Sequence, residues 1–134
     1  MDYVNSKRLN SSTGVPITNL AIANGATLLS EVLKVDKNVG FLVILAVENK
    51  VGAGGSISIF ASYSDDGVTF YRTYTTDLAG TIAQEGNIVT ALSNVTRRIV
   101  HTARLAKFVQ YSFVAAADSQ VTADVTYQEA GNDS

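Results

Sequence analysis

The most constraining feature of this chain is a strict alternation of apolar and small polar residues over residues 56–64. The apolar series is Ile57, Ile59, Ala61 and Tyr63, and serines occupy most of the other positions. Successive side chains of a β-strand leave opposite faces, so a period of two is typical of a strand with one buried face. Residues 121–128 repeat the pattern. The sequence therefore predicts a β-protein.

Turn signals divide the chain into about eight short strands. Asn24-Gly25, the glycine-rich residues 52–55 and Asp65-Asp66-Gly67 are the clearest of these signals. The predicted strands cover residues 28–35, 41–47, 56–64, 68–75, 87–92, 96–104, 107–116 and 121–128, and residues 76–93 form a long connection that holds one of them. Short strands at such spacing predict an antiparallel two-sheet sandwich, jelly-roll-like or immunoglobulin-like.

Residues 41–47 are apolar on both faces, which is typical of a central strand or of a strand covered by a partner. Charged residues make up only 16% of the chain and the net charge is −2. An average soluble domain has about 25% charged residues, and low net charge promotes association. We therefore expect a homo-oligomer, with a trimer favoured.

The domain boundaries follow from where the periodicity starts and stops. Residues 1–16 show no period and contain the only proline, Pro16, so we expect an extended N-terminal arm that is dispensable for folding but needed for assembly. The sandwich then spans residues 17–130, and residues 131–134 form a flexible tail. We find no secretory signal, and the longest apolar run is too short to cross a bilayer, so no membrane contact is expected.

Several kinds of chemistry are not expected from this composition. The chain has no cysteine, so disulfides and thiolate zinc sites are excluded. Its only histidine, His101, has no spaced partners of a metal site or a catalytic triad. We predict no catalytic residue, no cofactor and no metal, hence no enzyme; a small hydrolase built around His101 is the remote alternative.

Two groups of residues are candidates for contacts with a ligand or a partner. Arg97 and Arg98 form a small basic group on a predicted strand, which favours an interface and not nucleic-acid binding. Tyr63, Tyr71 and Tyr74 lie around the Asp-Gly turn. Exposed tyrosines there could stack on sugar rings, whereas strand aromatics more often form core or interface contacts.

Three segments carry a resemblance to known proteins. They are SYSDDGVTF at residues 62–70, AKFVQYSF at residues 106–113 and the alternating residues 121–127. Together they resemble the β-sandwich modules of tailed-bacteriophage virion proteins. They are also similar to discoidin-like carbohydrate-binding sandwiches, which usually display tryptophan at the turn where this chain has Phe70. Neither resemblance implies a catalytic residue.

The resemblance implies a structural protein of a phage virion, made in the host cytoplasm. We expect a capsid decoration or auxiliary protein that binds the major capsid protein or another virion protein and its own copies. The alternative is a glycan-binding module that uses the three tyrosines.

Overall fold

The computed structural model describes residues 3–34, 42–49, 56–71, 74–76, 79, 82–84, 89–92, 95–102 and 107–129. Within these ranges the secondary structure consists of β-strands, without a helix. The strands are β1 (Tyr3–Arg8), β2 (Leu20–Ile22), β3 (Thr27–Leu29), β4 (Leu33–Lys34), β5 (Leu42–Asn49), β6 (Ser56–Ser64), β7 (Tyr74–Thr76), β8 (Ile82–Gln84), β9 (Val89–Leu92), β10 (Val95–Thr102), β11 (Phe108–Ala115) and β12 (Ser119–Glu129).

Ten of these strands form two antiparallel sheets. The first sheet has the order β1-β12-β5-β10, and β2 pairs with the same edge of β12 as β1 does. The second has the order β3-β11-β6-β9, and β4 extends β3 along the same edge of β11. A separate hairpin, β7-β8, lies in the connection between β6 and β9. The predicted all-β, antiparallel two-sheet fold is therefore confirmed.

The strand order is that of a jelly roll. When β1 with β2, and β3 with β4, are each counted as one position, each sheet has four positions. The chain then moves to the other sheet at every connection except the one from β6 to β9, which carries the β7-β8 hairpin. Two four-position sheets linked by crossing connections define the jelly-roll arrangement.

The alternation found in the sequence produces one core between the sheets. Odd-numbered residues of β6, β11 and β12 are buried, and their even-numbered neighbours are mostly half-buried or exposed. These odd residues form a single hydrophobic cluster with apolar residues from the N-terminal part of the chain. The cluster contains Leu9, Ile17, Ile22, Leu33, Ile57, Ile59, Ala61, Tyr63, Val109, Tyr111, Phe113, Ala115, Val121, Ala123 and Val125.

The strand predicted at residues 41–47 is β5, and its central position is confirmed. It lies between β12 and β10, and both of these neighbours are antiparallel to it. A strand with paired neighbours on both sides in a sandwich is where apolar residues on both faces are expected.

The structure corrects the prediction of an arm over residues 1–16. Residues 3–8 are strand β1, which pairs with β12 of the same chain. Leu9 is fully buried, and Ser11 is also buried. The segment shows no period because it forms an edge strand that is interrupted by a loop, and only Leu9 and Ile17 on either side of that loop reach the core.

The strand predicted over residues 68–75 is also wrong. Residues 65–70 are a loop, Tyr71 makes a single bridge to Tyr63, and the next strand, β7, begins at Tyr74. Hydrogen bonds from the turn hold the backbone of Val68 and Thr69, so this backbone is not available to a strand ladder. The predicted tail, residues 131–134, lies outside the described residues.

Candidate functional site

The loop of residues 65–71 is organised by the side chains of Ser64 and Asp66. The hydroxyl of Ser64 donates to Asp66 Oδ1 over 2.8 Å and accepts from the N–H of Gly67 over 2.9 Å. Asp66 Oδ1 also accepts from the N–H groups of Val68 and Thr69, over 2.8 and 2.9 Å. Asp and Ser commonly bond the backbone just downstream in this way, which fixes a turn.

These hydrogen bonds favour the ionised form of Asp66. The N–H of Thr69, then that of Val68, then the Ser64 hydroxyl lower the pKa of Asp66 from 3.8 to about 2. A carboxylate that accepts several N–H bonds characteristically has a low pKa. The loop is therefore held most firmly while Asp66 is charged.

Gly67 seats the loop on the first residue of β11. Its φ of +80° lies in the left-handed region, which glycine adopts without strain. A Cβ at this position would lie 3.4 Å from the ring of Phe108. The Asp-Gly signal in the sequence thus marks both a turn and a close approach of backbone to an aromatic ring.

The loop displays two apolar side chains to solvent. Val68 is 82% exposed and Tyr71 is 54% exposed. Tyr71 is fixed by a pair of backbone hydrogen bonds with Tyr63, of 2.9 and 3.1 Å. An exposed apolar side chain on a loop with so many internal hydrogen bonds is suited to making contacts, because little conformational entropy remains to be lost.

The structure separates the candidate tyrosines. Tyr63 is only 2% exposed and belongs to the core, so it cannot take part in a surface site for sugars. The alternation in the sequence already carried this signal, because Tyr63 continues the buried series of β6. Tyr71 is exposed nearby, and Tyr74 begins β7. The side chain of Tyr74 lies outside the described residues.

The basic pair and the histidine lie together on β10. Arg97 pairs with Val47 of β5, Arg98 with Ala46, and His101 with Val43. The side chains of these residues lie outside the described part of the structure. Their assignment to an interface therefore stays a prediction.

Tyr63 has a buried neighbour of the same type, Tyr111. Burial, and secondarily the charge of Tyr63, raise the pKa of the Tyr111 phenol well above its ordinary value. Tyr111 also donates its backbone N–H to the Ser30 hydroxyl over 2.9 Å. We interpret this pair as a structural part of the core.

A shallow cleft lies at the other end of β11 from the 65–71 loop. It has a volume of about 350 Å³ and its lining is mostly apolar. Asp118 accepts a hydrogen bond from the N–H of Asn24 over 2.9 Å, which ties the two loops beside the cleft together. The residues that line this end cleft are Ala21, Ile22, Ala23, Asp118, Ser119 and Gln120. Small side chains on a short edge strand gave no signal by which the sequence could have indicated it.

A third surface feature is a polar clamp between the edges of the two sheets. The carboxylate of Glu31 accepts from Lys7 Nζ over 2.6 Å and from the N–H of Asn10 over 2.7 Å. Ser12 donates its N–H to the carbonyl of Leu29 over 2.9 Å. Residues 10–16 thus cover the edge of β3 and protect it from pairing with another chain.

Within the ranges that the structure describes, no group of three or more His, Asp or Glu residues could hold a metal ion. In that same part of the chain, no helix is long and apolar enough to cross a membrane.

The fold and its surfaces define this chain as a jelly-roll sandwich with a structured loop at one end and an apolar cleft at the other. No protein-family model matches the chain, and the comparison with proteins of curated function found no match.

Proposed function

We propose that this chain is a non-enzymatic structural component of a bacteriophage virion. In this role it is a capsid decoration or auxiliary protein that binds the capsid lattice and its own copies. The observation that carries the proposal is the jelly-roll strand order. Viral capsid domains are among the proteins that use this arrangement, which provides two closely packed sheets and loops at both ends for contacts.

The surface chemistry supports a role in assembly. Only 16% of the residues are charged, so contacts between copies bury few ions and require little desolvation. Exposed apolar side chains lie on the 65–71 loop, and others lie beside the clamp, where Val15, Leu29 and Val32 are exposed. Apolar side chains held in a fixed backbone are what a protein interface requires.

The alternative is a glycan-binding module, since lectin domains also use jelly rolls. Tyr71 is exposed on an ordered loop, and this favours such a site. The alternative is weaker because Tyr63, one of its three tyrosines, is buried in the core.

The test is to quantify peptides of this chain in phage particles purified from the organism that encodes it. The proposal expects the protein to accompany the major capsid protein through a density gradient at a fixed ratio. A glycan array, probed with wild-type protein and Tyr71→Ala, addresses the alternative. Absence from particles together with binding of a sugar that Tyr71→Ala abolishes would replace the proposal with the glycan-binding function.

A further inference from the structure

We infer that copies of this chain associate end to end, with Val68 of one copy inserted in the end cleft of the next. This inference deepens the proposed function, on which it rests, by naming the contact between copies. The occupant of the cleft is a second copy of this chain.

The inserted group is preformed. Val68 is the most exposed large apolar side chain in the described part of the protein, at 82%. The backbone N–H groups of Val68 and Thr69 are both held by Asp66 Oδ1, and Gly67 packs on Phe108. The loop therefore does not need to be ordered when the contact forms.

The cleft offers a matching apolar surface. Ala21 and Ala23 are small and exposed, and Ile22 between them is buried. The cleft volume of about 350 Å³ leaves room for an isopropyl group among these side chains. Burial of Val68 there would remove apolar area from water on both partners.

The two features lie at opposite ends of the same strand. Gly67 packs against Phe108, the first residue of β11, and the cleft is lined by residues that follow Ala115, the last. Eight strand residues separate these ends by about 24 Å. A molecule therefore cannot fill its own cleft, and the contact is head to tail. Such contacts close into a ring, such as a trimer, or continue as an open chain.

Charge gives this contact a distinctive salt dependence. Asp65 and Asp66 lie beside Val68, and Asp118 lies in the cleft. Like charges at the contact repel each other, and dissolved salt screens the repulsion. Raising the ionic strength should therefore strengthen the association. Asp118→Asn should strengthen it at low salt, because the amide oxygen can still accept from Asn24.

The experiment is sedimentation velocity on wild-type protein, Val68→Ser and Ala21→Glu. Each substitution should weaken self-association by about tenfold or more, since it removes the apolar group or blocks the cleft. An equimolar mixture of the two variants should form a dimer that does not grow. In that dimer the intact Val68 of Ala21→Glu fills the intact cleft of Val68→Ser. A symmetric contact would not show this complementation.

Val15→Ser is the matched control. Val15 is also an exposed valine, but it lies in the loop of residues 10–16. Its substitution should leave self-association unchanged, and the melting temperatures of all variants should stay close to that of the wild type. The inference is overturned if Val68→Ser associates like the wild type, if the mixture remains monomeric, or if Val15→Ser weakens association equally.

The two proposals fail in different experiments. Particles that contain the chain, together with association that does not depend on Val68, would overturn the end-to-end contact alone. Association that depends on Val68, in a protein absent from particles, would overturn the virion role and leave the contact standing.

Discussion

The N–H of Ile17 donates to the carbonyl of Leu9 over 2.9 Å, which closes the loop of residues 10–16 at its base. Both residues also bond to Ala123 of β12: Leu9 donates to its carbonyl, and Ala123 donates to the carbonyl of Ile17. Residues 3–22 therefore follow β12 as one interrupted edge strand. The start of the chain belongs to the sandwich, and its loss should destabilise the fold.

Leu9→Ala should lower the free energy of unfolding by about 2–5 kcal/mol, because Leu9 is fully buried and its truncation leaves a cavity. Val15→Ala, in the adjoining loop, should change it by less than about 0.5 kcal/mol, since Val15 is 48% exposed. Urea denaturation measures both. A loss below about 1 kcal/mol for Leu9→Ala would mean that the segment does contribute little to the core.

Glu31→Ala should cost more stability than Lys7→Met. Removing the carboxylate leaves the N–H of Asn10 without its acceptor, which costs about 1–3 kcal/mol. Removing Lys7 breaks only a partly exposed ion pair, worth less than about 1 kcal/mol. Chemical denaturation of the two variants tests this order, and equal losses would contradict it.

Asp66 should make the fold sensitive to acid. Its pKa is about 2 in the folded chain against an ordinary 3.8, so its stabilising effect is fully present above pH 3.8 and is lost as the pH falls toward 2. Asp66→Asn should flatten the dependence of melting temperature on pH over this interval. Asp65→Asn removes the same charge from the neighbouring position and should leave more of the dependence in place. Identical pH profiles for the two variants would refute the role of the turn.

Gly67→Ala should destabilise the fold by about 1–2 kcal/mol, the cost of holding a side-chain-bearing residue in the left-handed region. Gly25→Ala is the control, because Gly25 has nearly the same φ, +79°, with nothing within 4 Å of its Cβ position. The contact of 3.4 Å with Phe108 is ordinary packing, so both variants should lose similar stability in thermal denaturation. A much larger loss at Gly67 would show that the Phe108 ring cannot accommodate a methyl group.

Local alternation explains what the sequence could predict. Strand β6 has the predicted bounds, and β11 and β12 agree with prediction to within two residues, because a period of two over eight or more residues has no competing interpretation. The Asp-Gly turn was predicted for the same local reason. The sandwich follows from counting such segments.

The parts that the sequence could not predict depend on contacts between distant segments. Leu9 and Ile17 are single buried residues on either side of a polar loop, and only their shared partner Ala123 makes them one strand. Val68 looked like the start of a strand, but Asp66 captures its N–H. The end cleft joins residues about 97 positions apart, for which a single sequence carries no signal.

The most direct test of the central claim, that this chain works by assembling, is its mass in solution. Multi-angle light scattering over a wide concentration range should show a mass that rises above the 14.2 kDa of one chain, toward a trimer or a longer chain. The increase should be greater at higher salt. A constant mass of one chain at every concentration and ionic strength would contradict the account.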